Sequence, residues 1–308
     1  MRAWVLVVVL AGLFVVGAAP PSVAAGNEVM RVSGAGGGTL GPEWKPFDGD
    51  PVRFEIEGTA SDPLRPTGTF HVVHRKPDGR LLAEFRGRLT SLKVVDEVAV
   101  ATGVIETAEH PELDLEMVGK PVSFTVYDDG AQDRIGWMWG FFNAPVEPLQ
   151  GTAPGFALTE GGFQVEDGAA PARTAAAVDL TTAAERGTAV AAVIEGPREP
   201  VRVQLAGIVP PGGDPTQVRG RFRLAERTAT VEGELTCLAT GGPVAMATGV
   251  VTTSTDPARV GQPVSFAVKD GRTDRISWLT GWAAESIVDC RSVVPAHAPR
   301  YGGVVVRS

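Results

Sequence analysis

The chain repeats itself, and that limits its fold more than any other feature. "GKPVSFTVYDDGAQDRIGWMWG" (Gly119 to Gly140) returns as "GQPVSFAVKDGRTDRISWLTG" (Gly261 to Gly281). "RGRLTSLKVVDEVAVATGV" (Arg86 to Val104) aligns without a gap with "EGELTCLATGGPVAMATGV" (Glu232 to Val250). "DPVRFEIEG" pairs with "EPVRVQLAG", "GTFHVVHR" with "GRFRLAER", and "GGFQVED" (Gly161 to Asp167) with "GGVVVRS" (Gly302 to Ser308). The copies are collinear over about 120 residues each, a domain-sized period that argues for two homologous globular units and against a solenoid. We place the units at residues 26–168 and 188–308, with an Ala-rich linker at 169–187 whose composition permits a short helix near Ala175 to Glu185. A folding unit is copied for stability or scaffold, whereas a catalytic site needs no second copy.

Within each copy the apolar period is two. Val122, Phe124 and Val126 alternate with Ser123 and Thr125; Val98, Val100, Thr102 and Val104 alternate with Ala99, Ala101 and Gly103; Phe54 and Ile56 alternate with Glu55 and Glu57. Such alternation marks half-buried strands, and "PDG", "DDG" and "DG" supply turns between them. The expectation is all-β: two tandem antiparallel barrels, or alternatively sandwiches, of seven or eight strands each. The shared pairs Gly87/Gly233 and Gly103/Gly249 fall inside strands and suggest bulges or bends where a sheet curls. "GAGGG" at Gly34 precedes a Pro-containing loop and reads as a flexible connection.

The N-terminus begins with Arg2, an apolar run from Ala3 to Val16, and "GAAPPSVAA". These are the three regions of a secretory signal peptide, with cleavage expected after Ala25 and the mature chain released. No later run is long enough to span a bilayer as a helix. Arg outnumbers Lys, and Ala, Gly and Val dominate, a bias of GC-rich bacterial coding. The formal charge of −8 becomes about −9 without Arg2, the wrong sign for binding nucleic acid. The charge is also uneven, about −11 over residues 26–168 and about +2 over 169–308, an asymmetry of the sign that favours contact between the halves, though screening limits exposed pairs to a minor role. Cys237 and Cys290 are the only cysteines, both in the second copy, and the first has Ser91 and Leu149 at the matching positions. Their joint absence, in a chain sent to an oxidising space, is the pattern of a disulfide.

The set "GTFHVVHRKPDG", "FRGRLTSLKV", "VATGVI", "VGKPVSFTVYDDG" and "DRIGWMWG" resembles a repeat of secreted actinobacterial proteins of unknown function, over most of both halves. The resemblance implies secretion, a β-rich domain and often a Cys in the "LTCL" position, and it brings no activity. The outline is also similar to small eight-stranded ligand-binding or cyclase barrels, though none of their motifs is present.

Chemistry-bearing residues are sparse. His71 and His74 stand three apart on a strand and point to opposite faces, and the second copy has Arg223 and Glu226 there, which argues against a shared metal or general-base His. No nucleophile elbow, zincin motif or phosphate loop occurs, and we expect no catalytic residue, cofactor or metal. The repeated turn reads Asp129/Gly130/Asp133/Arg134 and Asp270/Gly271/Asp274/Arg275. These carboxylates suit turn amides; the ligand ladder of a calcium loop is missing. The insertion "AEHPELDLEM" sets Glu112, Asp114 and Glu116 on one side of an extended segment, either a solvated loop or an acidic contact surface for a cation or basic partner. The strongest feature is aromatic: Ile135, Trp137, Trp139 and Phe141 share one strand face, matched by Ile276, Trp278, Thr280 and Trp282. Such a column is core or the wall of an apolar pocket; Trp137 and Trp278 read as structural, Trp139 as the ligand contact. The function expected is a non-catalytic extracellular binding or envelope interaction module, taking a small apolar ligand or an extracellular protein. The alternative is a barrel enzyme of isomerase or cyclase type, which a polar pair inside the pocket would favour.

Overall fold

A computed structural model describes residues 29–168, 186–195, 200–210, 213–283 and 286–307, with the backbone alone for 186–195. The signal peptide and the helix expected near 175–185 lie outside the described residues.

The strands of the first copy are β1 (Met30–Thr39), β2 (Pro51–Ala60), β3 (Thr67–Arg75), β4 (Leu81–Val95), β5 (Val98–Glu109), β6 (Pro121–Tyr127), β7 (Arg134–Trp139), β8 (Phe156–Ala157) and β9 (Glu160–Glu166). Those of the second are β10 (Arg186–Glu195), β11 (Pro200–Val209), β12 (Arg219–Ala225), β13 (Thr230–Gly241), β14 (Val244–Ser254), β15 (Pro263–Lys269), β16 (Arg275–Thr280) and β17 (Pro299–Arg307). Each sheet is an antiparallel meander whose last long strand returns to pair with its first: β9 beside β1, β17 beside β10. No strand is exchanged between the sheets. The fold is therefore all-β, with two curled, barrel-like sheets. The first has one strand more than expected, the two-residue β8, and β10 starts at Arg186, inside the span assigned to the linker.

The paired glycines explain how the sheets curl. The register slips by one residue beside Gly87 and Gly233, and again between Leu89 and Ser91 and between Leu235 and Cys237. A Cβ on Gly87 or Gly103 would sit 2.6 Å from the ring of Phe70, and on Gly233 or Gly249 2.4 and 2.7 Å from that of Phe222. The bulged strands thus wrap one Phe per barrel, and that ring meets the next, Phe70–Phe124 and Phe222–Phe266, at 5.3 Å in both copies. Fully burying each such side chain contributes about 1.5–3 kcal/mol. The "GAGGG" run is not a flexible connection. It lies within β1, where a Cβ on Gly37 would fall 2.1 Å from the Val52 carbonyl oxygen and one on Gly34 2.3 Å from that of Gly162. Glycine carries no side chain to show an alternating pattern, so periodicity missed a strand packed between two close neighbours.

The repeated Asp-containing turn closes each barrel. The free edge of the last strand presents alternate amides, and carboxylates answer them: Phe163 N donates to Asp133 Oδ2 (2.6 Å) and Val165 N to Asp128 Oδ2 (3.1 Å). In the second copy Val304 N donates to Asp274 Oδ2 (2.9 Å) and Val306 N to Asp270 Oδ2 (3.1 Å). Two backbone donors that ladder pairing leaves over are satisfied by side chains across the gap. The counterpart of Asp270 is thus Asp128, and Asp129 is the extra residue of a longer turn, where it accepts from Ala131 N and Gln132 N. Turn capping also holds for Asp133 and Asp274, whose other oxygens accept from Asp129 N and Gly271 N. Burial raises the carboxyl pKa of Asp128 and Asp270 above the usual range, because their amide donors offset only part of the lost hydration.

The barrels meet back to back along β5 and β6 and β14 and β15. These strands are buried on both faces, not one. In β5 the small Ala99 and Ala101 face the barrel interior, while Val98 and Val100 pack against Val244, Met246 and Ala267 of the other copy. Gly151 and Ser292 exchange two backbone hydrogen bonds of 2.9 and 3.0 Å across the seam. These two residues are equivalent in the repeat, each following a left-handed residue by two positions, Leu149 (φ 63°) and Cys290 (φ 57°). The contact is therefore pseudo-symmetric, like that of a two-fold dimer. One part is not. Arg275 grips Asp96 with two 2.7 Å hydrogen bonds, and Lys269 reaches Asp96 and Glu97. Gly242 occupies the place of Asp96 in the second copy and has no side chain to return the bond; Arg134 instead donates to the carbonyls of Pro154 and Gly155. The acids belong to the acidic half and the bases to the other, in line with the charge asymmetry. Burial works against the Asp96 charge, but Arg275 and Lys269 outweigh it and hold the carboxyl below the usual range.

Candidate functional site: an apolar cavity in the first barrel

Two insertions differentiate the copies. Between β1 and β2 the first has eleven residues, 40–50, where only four, 196–199, separate β10 from β11. The inserted loop is braced by its own backbone: Trp44 N donates to Gly41 O, Phe47 N to Trp44 O, Asp50 N to Phe47 O, and Gly49 N to Leu40 O. It brings Trp44 face to face with Trp137, centroids 4.5 Å apart and planes at 16°. The second insertion follows β5. Its alternation holds, with Leu113, Leu115 and Met117 turned inward and Glu112, Asp114 and Glu116 outward. On the acidic side Glu112 is held by Lys76 and Arg80 of the β3–β4 hairpin, and Glu116 lies 3.8 Å from Lys120.

Under these loops the barrel encloses a cavity of about 290 Å³, at the lower edge of the range for ligand pockets. Its wall includes Phe54, Phe85, Met117, Trp137, Trp139 and Phe141. The inward column read from the sequence is real. Ile135 is fully buried at its base, Trp137 and Trp139 are half-buried, and Phe141 continues the line from a 3-10 turn beyond the strand. Trp139 meets Phe85 edge-on at 5.1 Å and Phe141 in a stack at 5.8 Å. Both Trp137 and Trp139 border the cavity, and only Trp137 is also stacked on the covering loop.

One polar side chain enters this wall from a strand, in addition to Glu43 and Lys45 of the covering loop. Phe70, Val72 and His74 are the inward residues of β3, and His74 lines the cavity while His71 faces outward to Glu84 (2.9 Å) and Glu55 (3.6 Å). His74 Nε2 lies 2.8 Å from Oδ2 of Asp50, which is itself buried at the end of the inserted loop. Phe47 packs edge-on against the imidazole at 5.1 Å. Burial lowers the imidazole pKa below the usual histidine range, and Asp50 opposes this only in part. Repetition does not mark His74 or Asp50, since the second copy has no matching His, and Trp44, Phe47 and Leu113 lie in insertions with no repeat counterpart.

In the second barrel the same places are filled differently. Glu226 stands where His74 stands and Arg259 where Met117 stands, and their side chains pair at 2.9 Å. Arg259 also bonds Asp256 (3.3 Å) and Thr228 (3.0 Å) and lies 4.6 Å over the ring of Trp282. Trp278 is half-buried with its ring 5.5 Å from that of His297, and Thr280 is buried in the place of Trp139. Trp137, Trp139 and Phe141 are thus brought together, and Trp278 and Trp282 belong to a separate barrel on the far side of the seam. Cys237 and Cys290 form a disulfide that ties β13 to the segment before β17. Among the described residues no three His, Cys, Asp or Glu side chains converge as a metal site, and no helix is long and apolar enough to cross a membrane. Compared with protein-family models, curated proteins and solved structures, the chain matches none.

Proposed function

We propose that the protein is an exported, non-catalytic binding module that holds a small, largely apolar ligand in its first barrel, while the second serves as a scaffold. One observation supports this above the rest. The same sheet is built twice, and in the first copy two loops longer than their counterparts and three tryptophans frame a cavity. The leader-like N-terminus and the disulfide support export, as does the likeness to secreted actinobacterial repeat proteins. The neutral fluorophore 1-aminoanthracene tests the reading. It should bind one to one and quench tryptophan emission; Trp139→Ala should weaken it at least tenfold, and Trp282→Ala should leave it unchanged. Equal loss in both variants, or no binding, overturns the proposal.

A second reading, an isomerase- or cyclase-type barrel enzyme, is favoured by the His74–Asp50 pair on the cavity wall, since a carboxylate-oriented imidazole is a common general base. Mass spectrometry of molecules retained by the purified protein separates the two. A species held unchanged on incubation fits binding; its conversion by stoichiometric protein fits the enzyme.

A further inference from the structure

This inference rests on the cavity being a ligand site. We propose that its ligand is a neutral aromatic alcohol of one or two rings, whose hydroxyl donates a hydrogen bond to Nδ1 of His74 while its ring lies against Trp139 and Phe85.

The geometry at His74 selects that chemistry. Asp50 is an acceptor, so the 2.8 Å contact places the ring proton on Nε2 and leaves Nδ1 with a lone pair. Nδ1 has no hydrogen-bond partner among the described residues and keeps some accessible surface, and since His74 lines the cavity we take Nδ1 as the atom a ligand meets. Because burial disfavours the imidazolium, the ring is neutral at pH 7 and meets a ligand as an acceptor. A donor is therefore required of the ligand. A carboxylate would face the Nδ1 lone pair with the Asp50 charge behind it. The other charged groups on the lining, Glu43 and Lys45, lie on the exposed part of the covering loop, at the rim. The rest of the wall is ring and aliphatic carbon, which suits a flat apolar body and leaves one polar position to fix its orientation.

Four probes of one shape decide the matter by calorimetry on the intact protein: naphthalene, 2-naphthol, 2-methoxynaphthalene and 2-naphthoate. A net hydrogen bond of about 1 kcal/mol corresponds to roughly fivefold in affinity. We expect 2-naphthol to bind at least fivefold more tightly than 2-methoxynaphthalene, and 2-naphthoate to bind most weakly. The paired variant Asp50→Asn/His74→Leu strands no charge and should abolish the naphthol advantage while keeping naphthalene. Should that variant not fold, the ¹⁵N signals of His74 in the wild-type protein report the same point, with Nδ1 shifted by 2-naphthol and not by the ether. Equal affinity for naphthol and ether overturns the hydroxyl assignment and leaves the pocket standing. Preference for naphthoate overturns it in favour of a cationic anchor. Failure of every probe overturns the pocket reading, and this inference with it.

Discussion

The two barrels share a wall and differ inside. Both wrap a Phe between two glycines, close with a pair of aspartates and offer the same strands to the seam. Their mouths diverge. The first is roofed by two loops over an aromatic cavity; in the second an Arg259–Glu226 ion pair lies against Trp282, and a disulfide braces the end of the barrel. A cavity forfeits contacts that a filled core would make, so the first barrel gives up stability where the second adds it. Repetition marks what the fold requires, and departure from it marks what the fold leaves free to vary.

The disulfide offers the largest lever on this contrast. Thiol titration under denaturing, non-reducing conditions should find no free thiol. Reduction should cost the second barrel about 4 kcal/mol in the chain-entropy model, a loss read as a lower denaturant midpoint for Trp278 and Trp282 with no change in the first barrel's tryptophans. A shift shared equally by both barrels would show that the seam makes them one cooperative unit.

Next in size is the one-sided clamp at that seam. Asp96→Asn leaves Arg275 largely buried without its counter-charge, while Lys269 keeps Glu97, and should cost about 3 kcal/mol, read as a lower denaturant midpoint. The carboxyl pKa is depressed in the folded protein, so its contribution is complete above the unfolded value near 3.9 and is lost as pH falls through the lower folded value. Acid titration of stability should show that loss in the wild type and lack it in Asp96→Asn. The smallest effect tests what the barrels share. Asp133→Ala and Asp274→Ala should each cost about 2 kcal/mol, with faster hydrogen exchange at the Phe163 and Val304 amides respectively. Unequal costs would mean that one barrel closes by other means.

The strands, the duplication and the cysteine pairing were legible because each leaves a local or comparative mark: period-two alternation in "VSFTV", collinear blocks, two residues missing together. The column of Trp137, Trp139 and Phe141 was legible for the same reason. The strand "GAGGG" was not, since it is defined by backbones approaching within a Cβ radius and not by any side-chain pattern. Nor was the second buried face of β5, because Val98 and Val100 alternate in the same way whether a barrel interior or a partner lies beneath them. The cavity was hidden more thoroughly. His74 is met by Asp50 across two strands, and Trp44 reaches Trp137 from ninety residues away. His74 has no counterpart in the second copy, so repetition leaves no mark of it.

The freedom of the copies to differ has a source in the seam. Two identical subunits of a dimer must change together, so any residue that improves a pocket in one also alters the other. Joining them in one chain removes that constraint and replaces an encounter between molecules with an intramolecular one. Association then no longer depends on expression level or dilution. Dilution does not part the second barrel from the first, and the outer face of β5 stays covered at any concentration.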